Sequence, residues 1–300
     1  MNEHKAGFVN IIGRPNVGKS TLCNLLIGDK MSIVTHKPQT TRHRILGILN
    51  EDDYQIVFSD SPGIITDPNY ELHKSMNKFA YSSLEDADIL IIMTDLRKDS
   101  VISPALIEAV KKLDVPLFLV INKTDTAQNQ AEVDEMEKKW TDQIVFNHIF
   151  RISALNQQNT QDILPAILNC LPVSPPYYPK DQFSDKSERF FVSEIIREHI
   201  FLLYQEEIPY SVEVEVTEFR ESVLKGRDFI HIFANIYVSR KSQKAILIGQ
   251  KGSKIKQLGI DSRKGIEAFF NKGVHLELFV KIMENWRDND SVLKNFGYQQ

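Results

Sequence analysis

The first half of the chain alternates short, continuous apolar runs with segments whose apolar residues recur at helical spacing. Residues 8–12 (Phe8-Val9-Asn10-Ile11-Ile12), 54–58, 89–93, 116–121 and 144–152 read as strands. Leu22, Leu25 and Leu26, then residues 106–112 and 132–140, carry helical patterning. Near-continuous apolar strands separated by helices predict a doubly wound, mostly parallel α/β sheet. Leu171-Pro172-Val173-Ser174-Pro175-Pro176-Tyr177-Tyr178-Pro179 then interrupts the pattern. Such proline density stops a helix and predicts a stiff, extended connector. Beyond it, residues 187–204 read as an amphipathic helix. Val212, Val214 and Val216 alternate with Glu213, Glu215 and Glu218, which predicts a strand with one wet face. A turn at Arg227-Asp228 precedes a second strand over 229–237. Helices over 244–248 and 253–270 flank Gly249-Gln250-Lys251-Gly252, and a strand over 274–282 follows. The expected organisation is a domain over 1–174, a connector over 175–186, and a smaller α+β domain over 187–300 ending in a tail.

Composition changes this picture in one respect. A length of 300 residues suits two cores, and 42% hydrophobic with 25% charged residues is ordinary for a globular protein. Cys23 and Cys170 stand far apart, outside any metal-ligand spacing, and read as reduced core thiols of a cytoplasmic protein. The N-terminus has no signal-like stretch, and no apolar run nears the ~20 residues that span a bilayer. The net charge of −4 conceals an asymmetry: residues 225–281 hold 12 Lys or Arg against 4 Asp or Glu, leaving the remainder at −12. A basic block in an acidic chain predicts a polyanion partner for that block.

The chemistry begins with Gly13-Arg14-Pro15-Asn16-Val17-Gly18-Lys19-Ser20, set between a strand and a helix. In that setting Gly-x-x-x-x-Gly-Lys-Ser is a phosphate loop. Backbone N–H groups, including those of Val17, Ser20 and Thr21, curl around phosphate oxygens at the positive end of a helix dipole. Lys19 supplies charge to the outer phosphates and Ser20 a hydroxyl for Mg²⁺. Asn122-Lys123-Thr124-Asp125 follows the strand over 116–121 and reaches the same sheet edge. The Asp125 carboxylate matches the two adjacent donors of guanine. Adenine would leave it unsatisfied at a cost of about 1–3 kcal/mol, so GTP is expected over ATP. The Lys123 stem can pack on the base, and Ser153-Ala154-Leu155 can offer N–H groups to the guanine oxygen.

Asp60-Ser61-Pro62-Gly63 ends another strand, placing Asp60 to reach Mg²⁺ through water and the Gly63 N–H to meet the γ-phosphate. In the polar loop Lys37-Pro38-Gln39-Thr40-Thr41-Arg42, a threonine can close on Mg²⁺ and release it after hydrolysis. Thr41 is preferred to Thr40. Lys19, Thr41 and Gly63 are thus the candidate catalytic groups. Ile64 stands where many small GTPases have a water-orienting glutamine, so slow intrinsic turnover is expected. Asn16 has two readings of equal standing, a K⁺ ligand or a residue that only shapes the loop.

In the basic block, glycines in Gly249-Gln250-Lys251-Gly252 let phosphates approach the backbone. Lys244, Lys251, Lys254 and Lys256 add charge, and Ile246, Ile248 and Ile255 can floor a groove for bases. Single-stranded RNA is the expected ligand.

With these motifs in hand, the N-terminal half resembles the translation-factor-related GTPases and the C-terminal order resembles a type II KH domain. Together with Gln39-Thr40-Thr41-Arg42-His43-Arg44 and Ser193-Glu194-Ile195-Ile196-Arg197-Glu198, nearly the entire chain resembles the bacterial Era family of ribosome-assembly GTPases. The resemblance implies binding to the 3′ end of small-subunit ribosomal RNA during maturation of the small ribosomal subunit, with RNA access set by the GTP or GDP state. It also implies a monomer in the cytoplasm and, in some members, peripheral contact with the cytoplasmic face of the inner membrane. Two positions depart from the family: Ser61 replaces the usual threonine, and Leu155 the commoner lysine. The alternative reading is an RNA-binding protein whose G domain is catalytically idle.

Overall fold

The computed structural model describes residues 3–97, 104–224 and 226–298; Lys225, at the head of the basic block, lies outside them. The chain falls into two compact units. One comprises Met1–Ser32, Thr41–Asn69 and His73–Asp185; the other comprises Ile33–Thr40, Tyr70–Leu72 and Lys186–Gln300.

The first unit runs β1 (Lys5–Gly13), α1 (Lys19–Ile27), β2 (Ile45–Asn50), β3 (Tyr54–Asp60), α2 (Glu71–Ser82), β4 (Ile89–Thr94), α3 (Pro104–Lys111), β5 (Leu117–Ile121), α4 (Gln130–Thr141), β6 (His148–Arg151) and α5 (Ile163–Cys170). Its sheet has the order β2-β3-β1-β4-β5-β6, with β2 antiparallel to β3 and every other pair parallel. All six β4 and all five β5 residues are buried, because helices cover both faces of a parallel sheet. The apolar run over 144–152 yields only four strand residues. Ile144 packs into the core beside Trp140, whereas Val145 is 89% exposed, so the run is not one continuous strand. Cys23 is buried in α1; Cys170 is only partly covered at the end of α5, not the core thiol expected.

The proline-rich stretch is stitched to this unit. Ile48 N–H donates to the Phe183 carbonyl (2.9 Å), and the Ser184 hydroxyl donates to the Leu46 carbonyl (2.6 Å). Gln55, fully buried, is the central fastener. Its Oε1 accepts from the N–H groups of Tyr177 (2.7 Å) and Tyr178 (3.0 Å), and its Nε2 donates to the Tyr178 carbonyl and Asn50 Oδ1.

The second unit comprises α6 (Glu188–Leu203), β7 (Val212–Leu224), β8 (Arg227–Val238), α7 (Lys241–Ile248), α8 (Ser253–Phe270), β9 (Gly273–Ile282) and α9 (Asp290–Asn295). Its sheet has the order β7-β8-β9, antiparallel then parallel. Ile195, Ile196 and Ile200 of α6 pack with Leu247 of α7, Leu258 and Ile266 of α8, and alternate β8 residues Ile230, Ile232, Ala234 and Ile236. Arg227 and Asp228, expected in a turn, begin β8, with Arg227 paired to Leu224. Glu213 does not face water: it is 5% exposed and accepts from the Tyr298 hydroxyl (2.5 Å), beside α9. Among the described residues, no helix is long and apolar enough to cross a membrane.

Replacing Gln55 by Leu removes both halves of that fastener and strands buried backbone groups. We expect a loss of about 2–4 kcal/mol in urea unfolding; an unchanged midpoint would show that residues 177–178 are not held through this side chain.

Candidate nucleotide and nucleic-acid sites

The phosphate loop joins β1 to α1, whose first residue is Lys19. Gly18, at φ 107°, precedes the helix in a conformation that L side chains rarely adopt. A Cβ there would also lie 2.3 Å from Asn122 Nδ2. Asn16, at φ 63°, adopts the left-handed conformation that asparagine tolerates, and its carbonyl accepts from Lys123 Nζ (2.5 Å). Lys19 Nζ donates to the carbonyls of Gly13 (3.3 Å) and Arg14 (3.1 Å). Burial pushes the Lys19 ammonium down to about 8, against the attraction of Asp60. A phosphate would add to the attraction of Asp60 and offset the desolvation of this buried ammonium.

Next to it, Ser20 Oγ donates to Asp60 Oδ2 at 2.6 Å and lies 2.9 Å from Thr41 Oγ1. The threonine brought to Ser20 is Thr41. The Thr40 hydroxyl turns back into its own loop, 2.6 Å from Thr35 Oγ1 and donating to the Lys37 carbonyl at 2.9 Å. Asp60 is fully buried; burial raises its carboxyl above the usual range, against the Ser20 hydroxyl and Lys19. Its Oδ1 has no hydrogen-bond partner among the described residues. An orphaned carboxylate oxygen beside two hydroxyls is an all-oxygen donor set, which fits Mg²⁺.

Gly63 passes so close to the phosphate loop that a Cβ would lie 2.3 Å from Pro15 N. The adjoining Ile64 N–H donates to the Gly13 carbonyl (3.2 Å), while its side chain is 7% exposed and packs in the core. Ser61 donates to the Ile11 carbonyl (3.0 Å), tying β3 to β1, a bond that serine makes without the threonine methyl.

At the base-recognition edge, Asn122 is a tie more than a contact surface. Its Nδ2 donates to the Val17 carbonyl and its Oδ1 accepts from the Ala154 N–H, both at 2.8 Å. The Ser153 N–H donates to the Gln158 carbonyl (3.2 Å). Two of the three N–H groups expected to face the guanine oxygen are therefore engaged within the protein. Leu155, the third, is 80% exposed. Asp125 lies in the single turn after β5 and is exposed.

One residue of this edge was not read from the sequence. Asp95, 1% exposed at the end of β4, accepts from Lys123 Nζ (3.2 Å) and Arg97 Nε (2.9 Å), and Arg97 Nη2 donates to the Pro15 carbonyl (3.2 Å). Its signal was present: an acidic residue directly follows a wholly apolar strand at the edge shared by the other motifs.

In the second unit, Gly249 has φ 71° and ψ 175°, and a Cβ there would lie 2.7 Å from Lys254 Cγ and 3.0 Å from Lys254 N. Lys251 and Gly252 follow in left-handed conformations, at φ 51° and 78°. This turn leaves Gln250, Lys251, Lys254 and Lys256 exposed and Lys244 half-buried. Lys254 Nζ lies 5.7 Å over the Tyr204 ring, and Tyr204 donates to the Leu247 carbonyl (2.8 Å), bracing α7 before the turn. Of the three isoleucines expected to floor a groove, Ile246 is exposed, whereas Ile255 packs against the core.

A phosphate loop, a guanine-specificity edge and a glycine turn between basic helices define a P-loop GTPase joined to a KH domain. Comparison with known proteins agrees in both parts: the 50S ribosome-binding GTPase family matches residues 8–123, and the KH domain family residues 207–287. The chain is 40% identical over 298 residues to GTPase Era of Clostridium kluyveri, covering 98% of this chain and 99% of that protein. It is 43% identical over 300 residues to the chloroplastic GTPase ERA1 of Zea mays, covering 98% of this chain and 71% of that protein. Two solved structures match with a TM-score of 0.90 and 36% identity, each covering 99% of this chain and 100% of the other. One is an Aquifex aeolicus Era variant bound to GDP and AlF₄⁻. The other is Era in complex with MgGDPNP and nucleotides 1506–1542 of 16S ribosomal RNA. The chain belongs to the Era family of GTPases.

Asn122→Ala removes two hydrogen bonds that hold the phosphate loop against the Ser153-Ala154 loop. We expect about 10–100-fold weaker GDP binding in fluorescence titration; affinity within twofold of the parent would mean the loops keep their places without it.

Proposed function

We propose that this GTPase binds the 3′ region of small-subunit ribosomal RNA through its KH domain and acts in maturation of the small ribosomal subunit. The observation that carries the RNA reading is the turn at Gly249–Gly252. Three positive-φ positions among four residues, Gly249, Lys251 and Gly252, shape a turn that presents Lys251 at an exposed edge, with Lys254 and Lys256 beside it. The Era complex with 16S ribosomal RNA supports the choice of RNA.

In the nucleotide site, Asp125 reads the guanine donors and the Leu155 N–H meets the guanine oxygen. Val17, Gly18, Lys19, Ser20 and Thr21 cradle the phosphates. Ser20, Thr41 and Asp60 would hold Mg²⁺, which supplies charge neutralisation at the β- and γ-phosphates when bound. Lys19 exchanges its two carbonyl partners for phosphate oxygens. The Gly63 N–H meets the γ-phosphate, close to the phosphate loop because glycine alone fits against Pro15. Ile64 cannot orient the attacking water, since its side chain lies in the core, so switch backbone groups take that role. We read Asn16 as a loop former whose carbonyl is held by Lys123, in preference to a K⁺ ligand.

Two outcomes check the proposal. Asp125→Ala should reduce the preference for GDP over ADP by at least about tenfold in competition binding; an undiminished preference would remove Asp125 as the reader. Gly252→Asp should abolish binding to the 3′ end of 16S ribosomal RNA and leave GDP affinity unchanged. A Cβ at Gly252 meets nothing within 4 Å, and aspartate tolerates the strained φ of 78° better than most residues, so unchanged GDP affinity and unfolding temperature check that the effect comes from the negative charge at the turn. Retained RNA binding would overturn the assignment of this turn.

A further inference from the structure

The loop that precedes Thr41 is anchored within the second unit. Helix α6 meets residues 33–40 at three points along its length. Arg197 Nη2 donates to the Thr40 carbonyl; Glu198 Oε1 accepts from the Val34 N–H (3.2 Å); and Lys37 Nζ donates to the carbonyls of Phe201 and Tyr204, capping the C-terminal end of α6. Thr40, Arg197 and Glu194 are all buried. Arg197 is fixed before it reaches the loop: Nε and Nη2 donate to the two carboxylate oxygens of Glu194, at 2.7 and 3.0 Å, in a bidentate pair. Burial works against its charge, but Glu194 outweighs it and holds the guanidinium protonated, so it is a permanent donor. The Thr40 carbonyl that it binds belongs to the peptide group whose nitrogen is that of Thr41. The Thr41 hydroxyl, in turn, lies 2.9 Å from Ser20 Oγ.

We propose that Arg197, oriented by Glu194, is a positioning residue for GTP hydrolysis: by holding the Thr40 carbonyl it fixes the peptide that presents the Thr41 hydroxyl to Mg²⁺, with Lys37 as a second anchor of the same loop. The proposal rests on the assignment of Thr41 as a Mg²⁺-binding group. Arg197 is not among the residues assigned to nucleotide or metal; its bonds run to Glu194 and the Thr40 carbonyl. Its effect is therefore specific to the triphosphate state, in which Thr41 is engaged, and to the Mg²⁺ requirement of turnover.

The test uses the full-length chain and compares Arg197→Met, Arg197→Lys, Lys37→Ala and Thr41→Ala. Readouts are the Mg²⁺ concentration for half-maximal GTP hydrolysis, affinity for GDPNP and GDP, and thermal unfolding. Arg197→Met should raise the Mg²⁺ requirement and weaken GDPNP binding by about tenfold or more, the loss of one hydrogen bond from a charged donor, with GDP affinity within about twofold. Arg197→Lys should recover part of the effect. Lys37→Ala, at a half-buried position that threatens the fold less, should shift both in the same direction by about threefold. An unchanged Mg²⁺ requirement in both Arg197→Met and Lys37→Ala overturns the proposal. So does an equal loss of GDP and GDPNP affinity with a lowered unfolding temperature, which would make Arg197 merely structural. If Thr41→Ala itself leaves the Mg²⁺ requirement unchanged, the assignment of Thr41 fails first, a result separate from failure of the Arg197 link.

Discussion

The nucleotide site depends on one buried amide. Asn122 reaches from the end of β5 to the Val17 carbonyl in the phosphate loop and to the Ala154 N–H after β6. Both atoms of its terminal group are thereby engaged, donor to acceptor and acceptor to donor, in a region where an unmatched partner is costly. Lys123 repeats the tie one residue later, to the Asn16 carbonyl and to Asp95 at the end of β4. Loops from four parallel strands are thus brought into register by two consecutive residues, leaving Asp125 outside the tie and exposed. Under the proposed role of Asp125, the selectivity of that carboxylate rests on the rigidity made by Asn122 and Lys123.

The glycine turn of the second unit follows a different logic. It is held by what it lacks: Gly249 has no room for a Cβ beside Lys254 and stands in a backbone conformation that glycine adopts freely. Tyr204 braces the helix before it, and the lysines remain on the surface. A fixed backbone with mobile charges around it suits a ligand that is a chain of phosphates with varied bases.

Most of this arrangement was legible in the sequence where burial leaves an unmistakable pattern. Strands β1, β3, β4 and β5 each carry an apolar run because they are covered on both faces, and the phosphate and guanine motifs sit at their ends. Elements with only one buried face were harder to see. Strand β2 lies at the sheet edge, α2 has a mostly polar sequence, and both passed unread. Glu213 looked wet because alternation predicts a solvated face, whereas Tyr298, 85 residues away, covers it. Likewise the proline-rich stretch shows its stiffness in composition but not its attachment, which comes from Gln55, a lone amide in an apolar strand. The Ser153 and Ala154 N–H groups were expected at the base; their actual partners, Gln158 and Asn122, depend on loop closure that spacing does not encode.

Ile64 puts a buried hydrocarbon side chain at the position where many small GTPases carry a water-orienting glutamine. Its side chain is one of the hydrocarbon surfaces that hold the sheet and helices of the first unit together, while its amide is tied to Gly13. A glutamine in the place of that side chain would bury its amide in hydrocarbon. Under the proposed mechanism, position 64 offers no handle on the dwell time of the triphosphate state. Under that mechanism, control of the cycle passes to whatever orders the backbone on either side of the nucleotide.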